Sequence, residues 1–154
     1  FDWCEAIDPD QPLTAGLFTG VSGAAERVSV LNRTMLARSD VISFHSYAGR
    51  GRLERSIDLL ERHGRPLLCT EWLARPMGST ADLVEVFAER GVGAWNWGLV
   101  DGRTQTKYPW TSWFRPVRGE QQWFHELLHP DGTPYDDAEA DLFRRVAAAS
   151  GPAG

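Results

Sequence analysis

Apolar and polar positions change register along this chain in alternating blocks. Four short runs rich in apolar and β-branched residues have the length and make-up of strands: PLTAGLFT at 12–19, DVISFHSY at 40–47, PLLCTEW at 66–72 and VGAWNWGLV at 92–100. Helical spacing occupies the intervals. It is weak at 24–36, clear at 52–64, where Leu53, Ile57 and Leu60 share a face, and clear again at 80–91, where Leu83, Val84 and Phe87 do. Gly64 and Gly91 stand where a left-handed cap closes a helix without a Cβ clash, and Thr80 is placed to cap the third helix.

Strands separated by crossover helices pair in parallel, because a parallel connection needs a dozen or more residues. The predicted class is therefore α/β. After the fourth strand a loop at 101–119 leads to an amphipathic helix predicted at 120–128. A turn, HPDGTPY, then precedes a last helix at 137–149, with Asp136 as its cap and Glu139 as the capping-box partner. One domain over 1–150 with a flexible tail at 151–154 accounts for the whole. Four βα units fit either a small open sheet with helices on both faces or half of an eight-stranded barrel, and in both the functional residues gather at the carboxyl ends of the strands.

Composition narrows the partners. The chain has 154 residues and a net charge of -5, with both signs scattered, so a nucleic-acid groove with its clustered basic face is excluded. No run is apolar and long enough to cross a bilayer, so no membrane partner is expected. The first residue is Phe1, so the true N-terminus is expected to be missing, and secretion is left open. Cys4 and Cys69 make neither a disulfide framework nor a CxxC metal ribbon, and Cys69 reads as a small core hydrophobe. Seven tryptophans are many for this length, and several stand in polar loops or at strand ends.

The distinctive side chains fall at those ends. His45 and Tyr47 alternate onto one side of the second strand, Glu71 ends the third, and Trp95 and Trp97 share a side of the fourth. Parallel order brings them to one rim. A carboxylate at the end of a buried strand is costly to desolvate unless something uses it. Indole faces pack against the C–H groups of a sugar while His, Tyr and Glu exchange hydrogen bonds with its hydroxyls, so the constellation suits a carbohydrate.

TEW at a strand end, FHSY on the strand before it and NWGLVDGRTQTKYPW on the one after resemble the second half of the cellulase-type (family 5-like) glycoside hydrolases, as do DPDQPLTAG and WFHELLHPDGTPY at either end. The resemblance implies the C-terminal half of a (β/α)8 barrel, strands five to eight, and a retaining double-displacement mechanism on a β-1,4-linked polysaccharide such as a glucan, mannan or xylan. It makes Glu71 the nucleophile, places His45 and Tyr47 as the pair on strand six, and makes Trp97 the sugar platform, with Trp95 and Trp110 as further substrate contacts. No cofactor and no metal are implied. In that family the acid/base glutamate follows an asparagine at the end of strand four, and no Asn-Glu pair occurs in this sequence. A retaining enzyme needs two carboxyl groups about 5–5.5 Å apart. The chain is therefore expected to be a fragment whose partner is the N-terminal half-barrel of the same polypeptide, inactive by itself.

Other readings stand beside this one. Glu71 can be a structural carboxylate paired with Arg75 or a neighbouring loop arginine, His45 and Tyr47 a satisfied pair closing the core, Trp95 packing, and Trp110 a loop staple. A non-catalytic carbohydrate-binding α/β domain is the main alternative function. HELLH at 125–129 matches the helix-borne H-E-x-x-H zinc site of peptidases. Pro130 works against that helix, however, and no third ligand follows.

Overall fold

The computed structural model describes residues 1–17 and 30–151. In chain order these form α1 (Asp2–Glu5), α2 (Val30–Arg38), β1 (Ile42–His45), α3 (Arg50–Glu61), β2 (Leu67–Glu71), α4 (Leu83–Glu89), β3 (Gly93–Ala94) and α5 (Asp137–Ala149), with single 3-10 turns at Arg75–Met77 and Trp110–Trp113. The fold is mixed α/β: five helices and a small sheet in the order β1-β2-β3, parallel throughout. Ile42 pairs with Leu67 and Phe44 with Cys69, the register slips after Phe44, and His45 comes level with Glu71. The slip sets the imidazole beside the carboxylate.

Helices α3 and α4 pack beside each other and against the sheet, and α5 lies on α4. The face predicted for α3 is the buried one: Leu53, Ile57 and Leu60 are enclosed, each contributing about 2 kcal/mol by leaving water. Gly64 and Gly91 follow α3 and α4 at φ 64° and 62°, the left-handed conformation that glycine adopts without strain. Asp136 caps α5 by accepting from the backbone N–H groups of Ala138 (2.8 Å) and Glu139 (3.1 Å). Glu139 does not close a capping box. Its carboxylate turns instead to Arg75, whose guanidinium is almost fully enclosed, at 2.6 Å. Thr80 likewise gives its hydroxyl to the side chain of Asp82 rather than to a helix N–H.

Three predicted elements come out differently. Only a single parallel bridge, Leu17 to Phe44, represents the first strand within the described residues, and residues 18 and 19 lie outside them. Pro12 has no N–H, Leu13 N–H goes to the Asp40 carboxylate, and Ala15 N–H goes to Ser39 Oγ, so side chains take the groups a ladder would use. The fourth strand shrinks to Gly93–Ala94, because the Asn96 amide bonds Gly98 O and bends the chain. The helix expected at 120–128 is absent. Phe124 N–H bonds Lys107 O, Leu127 N–H bonds Leu99 O and Tyr135 N–H bonds Leu127 O, so this segment pairs with distant backbone. Phe124, His125 and Glu126 are all buried in succession, which one face of an amphipathic helix cannot achieve. Of the weak helix predicted at 24–36, residues 24–29 lie outside the described residues, as does the tail beyond Gly151.

Burial pushes the Cys69 thiol up to about 12, with the neighbouring backbone bonds offsetting only part of the effect, whereas Cys4 is exposed. Iodoacetamide at neutral pH is expected to alkylate Cys4 and to spare Cys69 until the protein unfolds. Breaking the buried Arg75–Glu139 pair with Glu139→Gln leaves a cation uncompensated and should lower the unfolding free energy by about 3–5 kcal/mol in urea.

Candidate functional site

Parallel order puts the C-terminal ends of β1 and β2 at one rim. Tyr47, two residues past the end of β1, donates its hydroxyl to Glu71 Oε2 at 2.6 Å, and His45 Nδ1 lies 3.2 Å from the same oxygen. Both Glu71 and His45 keep about one-fifth of their side-chain surface in solvent, so the carboxylate is anchored by its neighbours yet only partly buried. Burial first, then the Glu71 carboxylate beside it, hold the Tyr47 phenol far above its ordinary ionisation range. Tyr47 therefore stays a proton donor at any physiological pH.

The other predicted residues divide. Trp110 joins the cluster, its ring edge-on to Tyr47 at 5.0 Å and packed on Phe124 at 5.1 Å. It thus staples its loop to the strand ends. Trp95 and Trp97 are attached by their backbone on either side of Glu71: Trp95 N–H bonds Cys69 O at 2.9 Å and Trp97 N–H bonds Trp72 O at 3.3 Å. Their indoles are 58% and 49% exposed, which argues against Trp95 as packing. Arg75 does not pair with Glu71, its guanidinium being committed to Glu139 and Trp123 O. The structural reading of Glu71 thereby loses Arg75, one of the partners it named.

Two buried side chains escaped the sequence reading because they lay within HELLH. His125 Nδ1 bonds Leu73 O at 2.6 Å, and its ring packs 5.4 Å from Tyr47 and 5.8 Å from Trp110. Glu126, fully buried, accepts from Thr106 Oγ1 at 2.8 Å. Gly98 passes so close to this pair that an added Cβ would lie 2.5 Å from Thr106 Oγ1 and 2.9 Å from Glu126 Cγ, so only glycine fits between the Trp97 backbone and Glu126. Asp101, the other carboxylate near the fourth strand, is held by Lys107 Nζ at 2.5 Å. The zinc reading of the motif fails on geometry: residues 125–129 are not helical, His125 serves Leu73, and His129 packs on Trp123 at 4.7 Å. Among the described residues no group of three or more His, Cys, Asp or Glu could hold a metal.

One backbone feature lies beside the cluster. Leu73, two residues after Glu71 and fully buried, has φ 67°. A bulky residue in the left-handed region costs on the order of 1–3 kcal/mol, and such strain persists only where the surroundings enforce it. Ser79 Oγ accepts the Leu73 N–H and His125 bonds the Leu73 carbonyl, so both backbone groups are fixed.

No protein-family model matches the chain, and no curated protein matches it. The assignment of the site rests on the residues themselves.

Because folded Tyr47 keeps a proton that the unfolded phenol releases above about pH 10, its contribution to stability is complete below that pH and is lost as the pH rises beyond it. In an absorbance titration at alkaline pH, one tyrosine should resist ionisation until unfolding, and that protected step should vanish in Tyr47→Phe.

Proposed function

We propose that this chain carries the nucleophile half of a retaining glycoside hydrolase acting on β-1,4-linked polysaccharide, built on strands five to eight of a (β/α)8 barrel. The observation that carries the reading is the Tyr47–Glu71 hydrogen bond at 2.6 Å, at the rim where His45 also meets the carboxylate. A strand-end carboxylate that is oriented by a permanent donor and only partly buried is what attack on an anomeric carbon requires.

The roles follow from chemistry. Oε2 of Glu71 is anchored by Tyr47, so Oε1, which receives no hydrogen bond among the described residues, is the oxygen assigned to form the glycosyl ester. His45 binds a sugar hydroxyl. Trp97 and Trp95, set on either side of Glu71 with exposed indoles, stack on sugar rings, and Trp110 lines the site by bracing Tyr47. The acid/base carboxyl is assigned to polypeptide outside these 154 residues, since the sequence holds no Asn-Glu pair. The barrel-completing half is the intramolecular partner, and the exposed outer edge of β3 with Trp95 and Trp97 is consistent with its seat. Two exposed tryptophans, bonded through their backbone to the residues around a single anchored carboxylate, also favour, as a second reading, a domain that binds glycans without cleaving them.

An activated 2-deoxy-2-fluoro glycoside separates the two. Its leaving group needs no protonation, so a nucleophile alone suffices to trap the ester. In protein expressed from the full open reading frame, mass spectrometry is expected to find the label on Glu71 and to find none in Glu71→Gln. Saturable glycan binding with no label would favour the binding domain, and a label on another residue would end the assignment of Glu71. The 154-residue chain alone is expected to release no product from an aryl glycoside.

A further inference from the structure

We propose that His125 is a positioning residue for the Tyr47–Glu71 pair, a neutral imidazole whose single proton is committed to the Leu73 carbonyl and whose ring braces the phenol against Glu71. The inference deepens the glycosidase reading and rests on it for one of its readouts. A carbonyl oxygen only accepts, so the 2.6 Å contact requires the proton on Nδ1. Nε2, across the ring, is buried and has no hydrogen-bond partner among the described residues, which suits an unprotonated nitrogen. The residue is 1% exposed and boxed by Tyr47, Trp110 and Phe124.

That arrangement is costly in two ways that packing alone does not explain. A phenylalanine would fill the same box without an orphaned nitrogen, and the Leu73 carbonyl is delivered by a strained left-handed residue. Both costs make sense if the tautomer matters. With Nε2 unprotonated, the ring packs on Tyr47 as a neutral face, and the Tyr47 hydroxyl stays committed to Glu71. A second proton would create an Nε2–H donor and a buried cation. The charged and titratable groups around the ring are Glu71 from β2, Arg75 from the turn after it and Tyr47 past β1. Arg75 repels such a cation while Glu71 attracts it, and burial, the largest influence, opposes it, so the second proton arrives only below the ordinary histidine range.

Nitrogen-15 NMR of the 154-residue protein tests the tautomer. The expected result is a protonated Nδ1 and a bare Nε2 at neutral pH, with the ring titrating below 6.5, the usual value. A proton on Nε2 at neutral pH, or titration at the usual value, overturns the proposal. The second test compares Glu71 labelling by the fluoro-glycoside in wild type, His125→Asn and His125→Phe of the full open reading frame. Asparagine can keep a donor to Leu73 O but takes no proton, and phenylalanine keeps the packing but loses the donor. Wild-type labelling should fall on the acid side as His125 takes its second proton. Both variants should label about tenfold more slowly at neutral pH, within the hundredfold that a misplaced reacting group costs, and should lack the histidine limb. Wild-type rates and an unchanged pH profile in either folded variant would refute a positioning role. If no form labels Glu71, the glycosidase reading fails separately. His125 is then judged by the Tyr47 ionisation, which must move toward the usual phenol range in His125→Asn for the inference to survive.

Discussion

The buried guanidinium of Arg75 is the constraint on which the site depends. Taking a cation out of water costs several kcal/mol unless its donors are used, so whatever surrounds it must supply acceptors in fixed places. Three separate segments do. Glu139 of α5 accepts from Nε and Nη2, the Trp123 carbonyl accepts from Nη1, and the Tyr135 ring lies 4.8 Å from the guanidinium carbon. The Arg75 backbone N–H adds a bond to Phe124 O. A residue just past β2 thereby holds the far end of the chain against the sheet.

From that clamp the geometry of the rim follows by short steps. Fixing Trp123 and Phe124 fixes His125, which reaches Leu73 O, and Phe124 supports Trp110. Trp110 and His125 together enclose the ring of Tyr47, and Tyr47 grips Glu71. The links are buried or part-buried contacts, so the orientation of a partly exposed carboxylate is tied to a cation four residues away. Electrostatics divides the labour. Arg75 is neutralised by Glu139, leaving Glu71 with the softer company of a phenol and an imidazole, and such neighbours orient a carboxylate without full charge pairing, as the proposed nucleophile role needs.

How much of this was legible in the sequence depended on whether a residue's partners were local. The face of α3, the cap at Asp136 and the left-handed glycines follow from neighbours within a turn and came out as read, while α4 buries Leu83 and Phe87 as read but encloses Val86 where Val84 was expected. The gathering of His45, Tyr47 and Glu71 was also readable, because parallel pairing and the two-residue period of a strand leave little choice. The segment at 120–128 was not. Its apolar spacing satisfies a helix, but its backbone bonds run to Lys107 and Leu99, and spacing carries no information about such distant acceptors. The same blindness hid His125 and Glu126. Inside a five-letter zinc motif they read as a ligand and a base on a helix face, whereas burial in non-helical backbone gives them unrelated partners, Leu73 and Thr106. Glu139 was read as a local cap for the same reason: its true partner, Arg75, is 64 residues away.

The contrast between the two carboxylates of the rim carries the argument further. Glu126 is fully buried, bonded to Thr106 and wedged under Gly98, so no substrate reaches it. Glu71 is anchored by one oxygen and only partly buried. Burial beneath the Trp97–Gly98 backbone suits Glu126 to holding the platform, while partial exposure suits Glu71 to meeting a ligand. A retaining mechanism still needs a second carboxyl at about 5–5.5 Å, and Glu126 is sealed from substrate. On the proposed glycosidase reading, the acid/base carboxyl is therefore a residue other than Glu126.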